Sequence, residues 1–282
     1  MDGDGADVPA GVDNGSWRTW TRRPAAALRG IVRSYHGFVV DSGVPSTDRV
    51  LPAPTVTVIL SFGDRLRLEA SPGSNHRDGS FVSFFAGLDD RPGVIAHDGH
   101  QAGVQLDLDP LGAALLLGAP VGGLARDVVA LDALLGPDAT RLTDRLAEVP
   151  DWPARFALLD TVLTAGLDQR RAPAPEIRHA WRRIRHSGGR VRVDELAAET
   201  GWSRRHLSER FRRELGLTPK TAARVARFDR ARWLLLTGPR TTLTDLAVRC
   251  GFYDHAHMAR EFRVLAGCPP AELAKLPFVQ DP

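Results

Sequence analysis

Residues 193–219 read VDELAAETGWSRRHLSERFRRELGLTP, and residues 243–270 read LTDLAVRCGFYDHAHMAREFRVLAGCPP. The two stretches repeat one pattern: a Leu-Ala pair, a glycine four residues later, a polar cap, apolar residues at helical spacing, and a closing glycine followed by proline. A pattern written twice in one chain indicates a duplicated structural unit. The fold of the C-terminal region is therefore decided by these two segments.

Each copy predicts a short helix, a tight turn and a second helix. The small residue at the helix crossing, the turn glycine and the N-cap are Ala197, Gly201 and Ser203 in the first copy and Ala247, Gly251 and Asp254 in the second. Glycine turns the chain at positive φ without steric cost, and a Ser or Asp side chain accepts a hydrogen bond from an unpaired amide of the first turn. This is the outline of a helix-turn-helix, whose second helix enters the DNA major groove. A plain helical hairpin has the same local pattern.

Charge helps to separate these two interpretations. From Pro175 to the C-terminus the chain has 21 Lys and Arg against 12 Asp and Glu, a net charge of +9, although the whole chain carries only +3. The residues before Pro175 therefore carry a net −6. A basic region whose arginines lie off the apolar stripe of its helix fits a phosphate-binding surface. Duplication and charge together favour DNA binding.

Residues from about 176 to 276 resemble the DNA-binding domain of the AraC/XylS family of transcription regulators. The most specific part of the resemblance is the phrase GFYDHAHMAREFR at residues 251–263. The resemblance implies seven helices that form two helix-turn-helix units joined by one long helix, here from Pro219 to about Thr237. About 18 residues at ~1.5 Å each span roughly 27 Å, comparable with the ~34 Å between successive major grooves on one side of B-DNA.

The resemblance also implies which side chains contact DNA. Family members typically place base contacts at positions that match Arg205, Ser208, Glu209, Ala256 and Arg260. Neighbours on the same helices complete the predicted DNA-binding set: Arg204, Arg212, Arg213, His255 and His257. Arginine pairs with guanine, serine with several base edges, and glutamate with the cytosine amino group. Ala256 offers only apolar contact and Glu209 brings a negative charge close to phosphate, and both depart from the usual pattern.

The chain as a whole is predicted to be α+β. Its N-terminal two-thirds are predicted to form a β-rich, small barrel-like domain followed by helices. The predicted strands are Thr55–Phe62, Leu66–Ala70, Phe81–Ala86, Gly93–His97 and Ala102–Leu108, and the predicted helices are Pro110–Leu117, Pro137–Ala147 and Pro153–Leu167. β-Branched or alternating runs separated by Gly, Pro, Asp and Asn favour strands, and apolar spacing of 3.6 residues favours helices.

Composition and the resemblance together predict four segments. Residues 1–16 are expected to be a disordered tail, residues 17–168 a sensor or dimerisation domain, residues 169–175 a charged, proline-rich linker, and residues 176–276 the DNA-binding domain. The family commonly pairs its DNA module with such a sensor, which is often a small β-barrel. Alternate strand residues are predicted to point inward and to enclose an apolar pocket: Val56, Val58, Leu60, Phe62, Val104, Leu106 and Leu108.

Two histidines in the phrase His97-Asp98-Gly99-His100 raise a different hypothesis, with His36 and His76 elsewhere in the chain. Histidines three residues apart can share a metal ion, but Asp-Gly between them is typical of a tight hairpin turn with exposed imidazoles. The alternative function is thus an N-terminal metal-binding or small-molecule enzyme domain fused to a DNA module. An architectural DNA binder without a sensor is a further alternative.

The preferred hypothesis is a sequence-specific, DNA-binding transcription regulator that is not an enzyme and needs no metal or cofactor. Its expected partner is double-stranded DNA, and RNA polymerase, a small-molecule effector and a second copy of the chain are candidate partners. The N-terminus lacks the basic and apolar pattern of a signal peptide, and Leu111–Leu117 is too short to span a bilayer. Cys250 and Cys268 are predicted to be reduced core thiols. A cytoplasmic location without membrane contact is expected.

Overall fold

The computed structural model describes residues 17–69, 79–167, 172–239 and 241–275. Within them the strands are β1 Trp17–Arg22, β2 Val32–Asp41, β3 Ser46–Val50, β4 Val56–Ser61, β5 Leu66–Glu69, β6 Gly79–Phe81, β7 Phe84–Ala86, β8 Gly93–His97, β9 His100–Leu108 and β10 Val128–Ala130. They form two antiparallel sheets with the strand orders β1-β2-β9-β4-β7-β10 and β3-β8-β5-β6. The predicted tail, His76 and most of the predicted linker lie outside the described residues.

Most of the described chain after β9 is helical, and β10 lies between α1 and α2. They are α1 Pro110–Leu117, α2 Leu131–Leu135, α3 Pro137–Glu148, α4 Trp152–Ala165, α5 Pro175–His186, α6 Val193–Thr200, α7 Arg204–Leu215, α8 Pro219–Thr237, α9 Leu243–Cys250, α10 His255–Ala266 and α11 Pro270–Leu273. The predicted α+β class is confirmed, with a β-rich N-terminal part and a helical C-terminal part. Helices α1 and α8 begin and end at the predicted residues, because Pro in the first turn and a following glycine mark both ends.

The strand predictions were right for four elements and wrong for the region around residue 83. The predicted strand Phe81–Ala86 is two short strands in different sheets, because the chain bends at Val82 and Ser83. The sequence prediction also missed β1, β2, β3 and β10. Strand β2 contains Gly37, where a Cβ atom would lie 2.3 Å from the Trp152 ring, so this glycine permits close packing of α4. A glycine inside a strand often has this cause.

The two faces of the larger sheet have different partners. Its helix-facing residues form the main apolar core with Trp152 and Phe156 of α4: Val56, Val58, Leu60, Val104, Leu106 and Leu108. The other face meets the smaller sheet through a second cluster, Ile59, Leu66, Leu68 and Phe84. Since successive side chains of a strand alternate between faces, the residues predicted to enclose a pocket lie against the helices instead. Phe62 lies at the edge of this core and is only partly buried.

The first helical unit packs directly onto the N-terminal part. Asp109 caps α1, and its carboxylate also accepts a 2.8 Å hydrogen bond from Trp181 Nε1 and pairs with Arg185 of α5. A Cβ atom at Gly122 would lie 2.2 Å from the carbonyl oxygen of Arg213, so backbone meets backbone at the end of α7. One apolar core therefore continues from the sheet through α4 into α5, α6 and α7.

The second helical unit has its own core. Phe228, Met258 and Phe262 lie at its centre, and the rings of Phe228 and Phe262 are in edge contact at 4.9 Å. Leu51, which follows β3 in the N-terminal part of the chain, also belongs to this cluster. The second unit is thus attached to the rest of the chain through α8 and through the end of β3.

Candidate nucleic-acid interface

The first helix-turn-helix consists of α6 and α7. Gly201 ends α6 in the left-handed region at φ 69°, and the Ser203 side chain accepts from the amide of His206. Leu207 and Phe211 are fully buried, so α7 is fixed with its opposite face outward. The sequence shows no obvious cap before Val193; in the structure the Glu195 carboxylate accepts from the Arg192 amide instead.

The second helix-turn-helix, α9 and α10, repeats this geometry. Gly251 turns the chain at φ 79°, and Asp254 accepts from the amide of His257. Thr242 caps α9 through the amide of Asp245, as its capping-box spacing predicts. The buried residues Met258 and Phe262 fix α10 against its own unit. Both predicted helix pairs are present with their turns and caps.

The connecting helix α8 spans 19 residues, which at a rise of ~1.5 Å gives a rod of about 28 Å. Thr218 caps it and Pro219 occupies the first turn. Arg224 of α8 pairs with Glu261 of α10 and lies 3.7 Å from Asp90 of the N-terminal part. Glu261 therefore holds α10 on the connecting helix.

The predicted DNA-binding residues lie on α7 and α10 and point away from the two cores. Eight are exposed: Arg204, Arg205, Glu209, Arg212, Arg213, His255, Ala256 and Arg260. Ser208 and His257 are half-buried. Exposure is what contact with a groove requires, and the individual contacts of these residues with DNA stay a prediction.

Two of the arginines have carboxylate partners in the structure. Arg205 Nε donates to Glu209 Oε1 at 2.9 Å, one helical turn along α7, and Arg204 Nη1 donates to Asp194 Oδ1 at 3.0 Å. The Arg205 side chain remains 89% exposed. Exposed pairs of this kind contribute little free energy, so breaking the pair between Arg205 and Glu209 costs little.

His257 has a structural role that sequence spacing did not indicate. Its Nδ1 accepts from the Tyr253 amide at 3.2 Å, and its ring contacts Phe252 edge-on. Tyr253, which was absent from the predicted set, is 90% exposed immediately before the first turn of α10. An aromatic residue directly before an N-cap is the signal that could have identified it.

Glu199 of α6 binds two side chains of α5. Its carboxylate accepts from Arg183 Nε and Nη2, and its Oε2 lies 2.7 Å from His179 Nε2. The hydrogen bonds from Arg183, followed by that of His179, lower the pKa of Glu199 from 4.5 to about 2. Because the pKa is lower in the folded protein, the contribution to stability is complete above about pH 4.5 and is lost as the pH falls toward 2.

Glu199→Gln is accordingly expected to lower the melting temperature slightly at pH 7, since the pair is exposed and partly screened. The difference from the wild type should shrink as the pH falls below 4.5, which is the ordinary pKa of the group. Thermal unfolding at several pH values checks this, with the exposed Glu148→Gln variant as control. A difference that stays constant with pH would contradict the ionic origin.

The two histidines of the turn do not converge. His97 was predicted to be exposed, but it is buried, with 3% of its surface accessible. Its Nε2 lies 2.9 Å from Ser46 Oγ and 3.2 Å from Asp48 Oδ2. His100 Nδ1 lies 2.9 Å from Asp41 on the surface. The turn at Gly99 joins β8 to β9, which belong to different sheets, so it is not a hairpin. Within the described ranges, no group of three or more His, Cys, Asp or Glu is placed to hold a metal ion.

The fold and the surface thus define a double helix-turn-helix domain. Comparison with known proteins agrees: the helix-turn-helix domain family matches residues 196–275, and a domain of unknown function, DUF6597, matches residues 21–130. The chain is 36% identical over 73 residues to the uncharacterized HTH-type transcriptional regulator YbfI of Bacillus subtilis, covering 26% of each chain. It is 35% identical over 78 residues to the HTH-type transcriptional activator RhaS of Escherichia coli, covering 28% of each.

A solved structure extends the likeness to most of the chain. ToxT from Vibrio cholerae aligns with a TM-score of 0.51 over 92% of this chain and 98% of that protein, at 10% identity, which is a likeness of fold. The C-terminal region of this chain is an AraC-type helix-turn-helix domain. The match spans about a quarter of the length of the curated relatives. Across the described residues, no helix combines the length and apolarity needed to cross a membrane.

Proposed function

We propose that this protein is a sequence-specific, DNA-binding transcription regulator that acts by binding and carries out no reaction. The observation that carries the proposal is the pair of capped helix-turn-helix units, each with an exposed polar face, at the two ends of one 19-residue helix. With a rod of about 28 Å, one chain can address two successive major grooves, which repeat every ~34 Å. Double-stranded DNA is the partner in this proposal, and RNA polymerase is a candidate second partner.

Residues 17–168 are proposed to regulate the DNA-binding region, residues 176–276, in response to a small molecule or through pairing of two chains. A domain that already spans two grooves needs no second domain for DNA affinity. In this proposal the N-terminal part changes the geometry or the local concentration of the DNA-binding region. Its direct packing on α5 and α7 supports such a role.

Selection of bound sites from random double-stranded DNA by the full-length chain tests the proposal. We expect enriched sites with two conserved blocks about 10 base pairs apart, since each reading helix occupies one groove. Affinity should fall steeply with salt because phosphate contacts release counterions. Genome-wide mapping of bound sites then identifies the regulated genes. Failure to enrich any sequence would contradict the proposal.

Arg205 of α7 and Arg260 of α10 are the arginines proposed to contact base edges. Replacing either residue by alanine should weaken binding to the selected site by about 1–3 kcal/mol and relax the preference at one base pair. Arg213→Ala, at the end of α7, should weaken binding to all sequences alike because a phosphate contact carries no sequence information. Titration of specific and random duplexes measures both. Equal losses on the two duplexes for Arg205→Ala or Arg260→Ala would contradict their assignment to base contacts.

A further inference from the structure

The second helix of each helix-turn-helix is attached to the N-terminal part of the chain near its C-terminal end. Gly122 lies so close to the end of α7 that a Cβ atom there would be 2.2 Å from the Arg213 carbonyl oxygen. At the same end of α10, Arg49 of β3 donates from Nη1 to the carbonyl oxygen of Ala266 at 2.9 Å. A cation at the C-terminus of a helix interacts favourably with the helix dipole. The N-terminal part is thus a common frame for α7 and α10.

Helix α10 has a second attachment to this frame, through a chain of ion pairs. Asp90, which lies between β7 and β8, accepts from Arg126 Nε at 2.8 Å, and its other carboxylate oxygen lies 3.7 Å from Arg224 Nη1 of α8. Arg224 in turn pairs with Glu261 of α10. The Asp90 side chain is only 14% exposed, so salt screens these pairs less than it screens surface pairs.

Arg126, the first member of the chain of ion pairs, has an unusual backbone conformation. Its φ of 58° lies in the left-handed region, and within the described ranges no other residue besides glycine has a positive φ. This conformation is unfavourable for a residue with a side chain, and it persists where the surrounding contacts fix it. The Arg126 amide donates to the Leu88 carbonyl at 2.9 Å, and its guanidinium binds Asp90. Asp90 is therefore held firmly from the side of the N-terminal part.

The two attachments together restrict the movement of α10. Glu261 and Ala266 are five residues apart, which is about 7.5 Å along a helix with a rise of ~1.5 Å per residue. A helix that is held at two points along its length cannot tilt or slide without breaking one of the contacts. Leu51, two residues after Arg49, adds an apolar contact in the core around Phe262. The orientation of α10 relative to α7 is therefore set in part by the N-terminal part.

This orientation decides which spacing of two DNA blocks one chain can bind. One base pair added between the blocks moves the second groove by about 3.4 Å and turns it by about 34°, since B-DNA repeats every ~10.5 base pairs. A long helix can curve, so α8 by itself leaves some freedom in this rotation. The contacts of α10 with the N-terminal part reduce that freedom.

We propose that Asp90 and Arg49 are positioning residues that fix the spacing between the two DNA blocks that the chain accepts. They hold α10 in one orientation relative to α7 and do not themselves touch DNA. The inference rests on the proposed function, since it names what determines the spacing within the proposed site. It gives the N-terminal part a constant geometric role that needs neither an effector nor a second chain.

Binding to duplexes with altered spacing tests the proposal. The full-length chain is titrated with its selected site and with versions in which one or two base pairs are added or removed between the blocks. We expect the wild type to bind the selected spacing about tenfold or more tightly than either neighbouring spacing, because α10 must break an attachment to follow the displaced groove. Equal binding of all these spacings by the wild type would overturn the proposal.

Variants of the two positioning residues should relax the spacing requirement. Asp90→Asn removes the charge and keeps the size, so the penalty for a changed spacing should become about threefold to tenfold smaller, as expected for the loss of a charge-assisted contact. Arg49→Met, which removes the hydrogen bond to Ala266, should act in the same direction and serves as the second test if Asp90→Asn folds poorly. The measured quantity is the ratio of the dissociation constants for the altered and the selected spacing. A general loss of stability lowers affinity for both duplexes alike and leaves this ratio unchanged.

Matched controls come from the same part of the chain. The Asp160 side chain is 12% exposed and pairs with Arg22, so Asp160→Asn removes a carboxylate that is buried to nearly the same degree as Asp90. Arg67, like Arg49, is an exposed arginine of the smaller sheet, and it pairs with a carboxylate of the N-terminal part. Asp160→Asn and Arg67→Met should keep the wild-type ratio. An equal change of the ratio in these controls would assign the effect to general loosening and would overturn the proposal.

The same measurements separate a failure of this inference from a failure of the proposed function. If the wild-type chain enriches no DNA sequence, the proposed function fails and the inference falls with it. If the wild type binds a selected site but the folded variants Asp90→Asn and Arg49→Met keep its spacing ratio, the inference fails alone.

Discussion

Asp109→Ala is expected to lower the free energy of unfolding by about 3–5 kcal/mol, because one buried carboxylate performs three tasks. It caps α1, accepts from the buried Trp181 indole, and pairs with Arg185. Its removal leaves the indole N–H without an acceptor at the contact between the N-terminal part and α5. Urea unfolding of the full-length chain measures the loss.

Asp151→Ala is the matched control for this experiment. Asp151 also caps a helix that begins with a proline in its first turn, but it is exposed, and among the described residues its side chain bonds only to the Ala154 amide. Its removal should cost about 1 kcal/mol, the usual contribution of an N-cap. Similar losses for the two variants would mean that the contacts of Asp109 with α5 contribute no stability beyond capping.

Phe262→Ala should cost about 3–5 kcal/mol, the range for truncating a fully buried aromatic side chain. Phe262 is 0% exposed and contacts Phe228 of α8 at the centre of the small core of the second unit. The loss should fall mainly on that unit, because the first unit shares the larger core of the N-terminal part. In the proposed DNA complex, protection of the second block should disappear before that of the first.

Val264→Ala, two residues along the same helix, provides the comparison. Val264 is 50% exposed, so its truncation should change stability by no more than about 0.5 kcal/mol. Hydrogen exchange of α9 and α10 in the Phe262→Ala variant locates the destabilisation. Uniformly faster exchange throughout the chain would show that the two cores unfold together.

Local sequence predicted the helical region closely because its signals lie within a few residues of each other. Gly201 and Gly251 take up the left-handed conformation that their positions predict, and Ser203 and Asp254 cap the following helices. The apolar spacing of Leu207 and Phe211 determines which face of α7 is buried. Each of these choices is made by backbone sterics or by helix periodicity, and none needs a distant partner.

The N-terminal part was predicted less completely because strand pairing depends on residues far apart in the chain. Strand β2 pairs with both β1 and β9, and β3 pairs with β8, about 45 residues away. Hydrophobic alternation identified Val56, Val58 and Leu60 as inward residues, yet it could not say which layer covers them. The helices cover these residues. A cavity between the two sheets lies on the opposite face of β4, where Thr57 and Ile59 lie.

The sequence by itself determined that this protein has two helix-turn-helix units on a connecting helix, because turns, caps and helix periodicity are local properties of the chain. Only the tertiary structure decided that Asp109 binds Trp181, that His97 is buried beside Asp48, and that Arg232 of the connecting helix completes a cavity between the N-terminal sheets. These contacts join residues that lie far apart in sequence. Their formation depends on how complete layers pack, which no short stretch of sequence specifies.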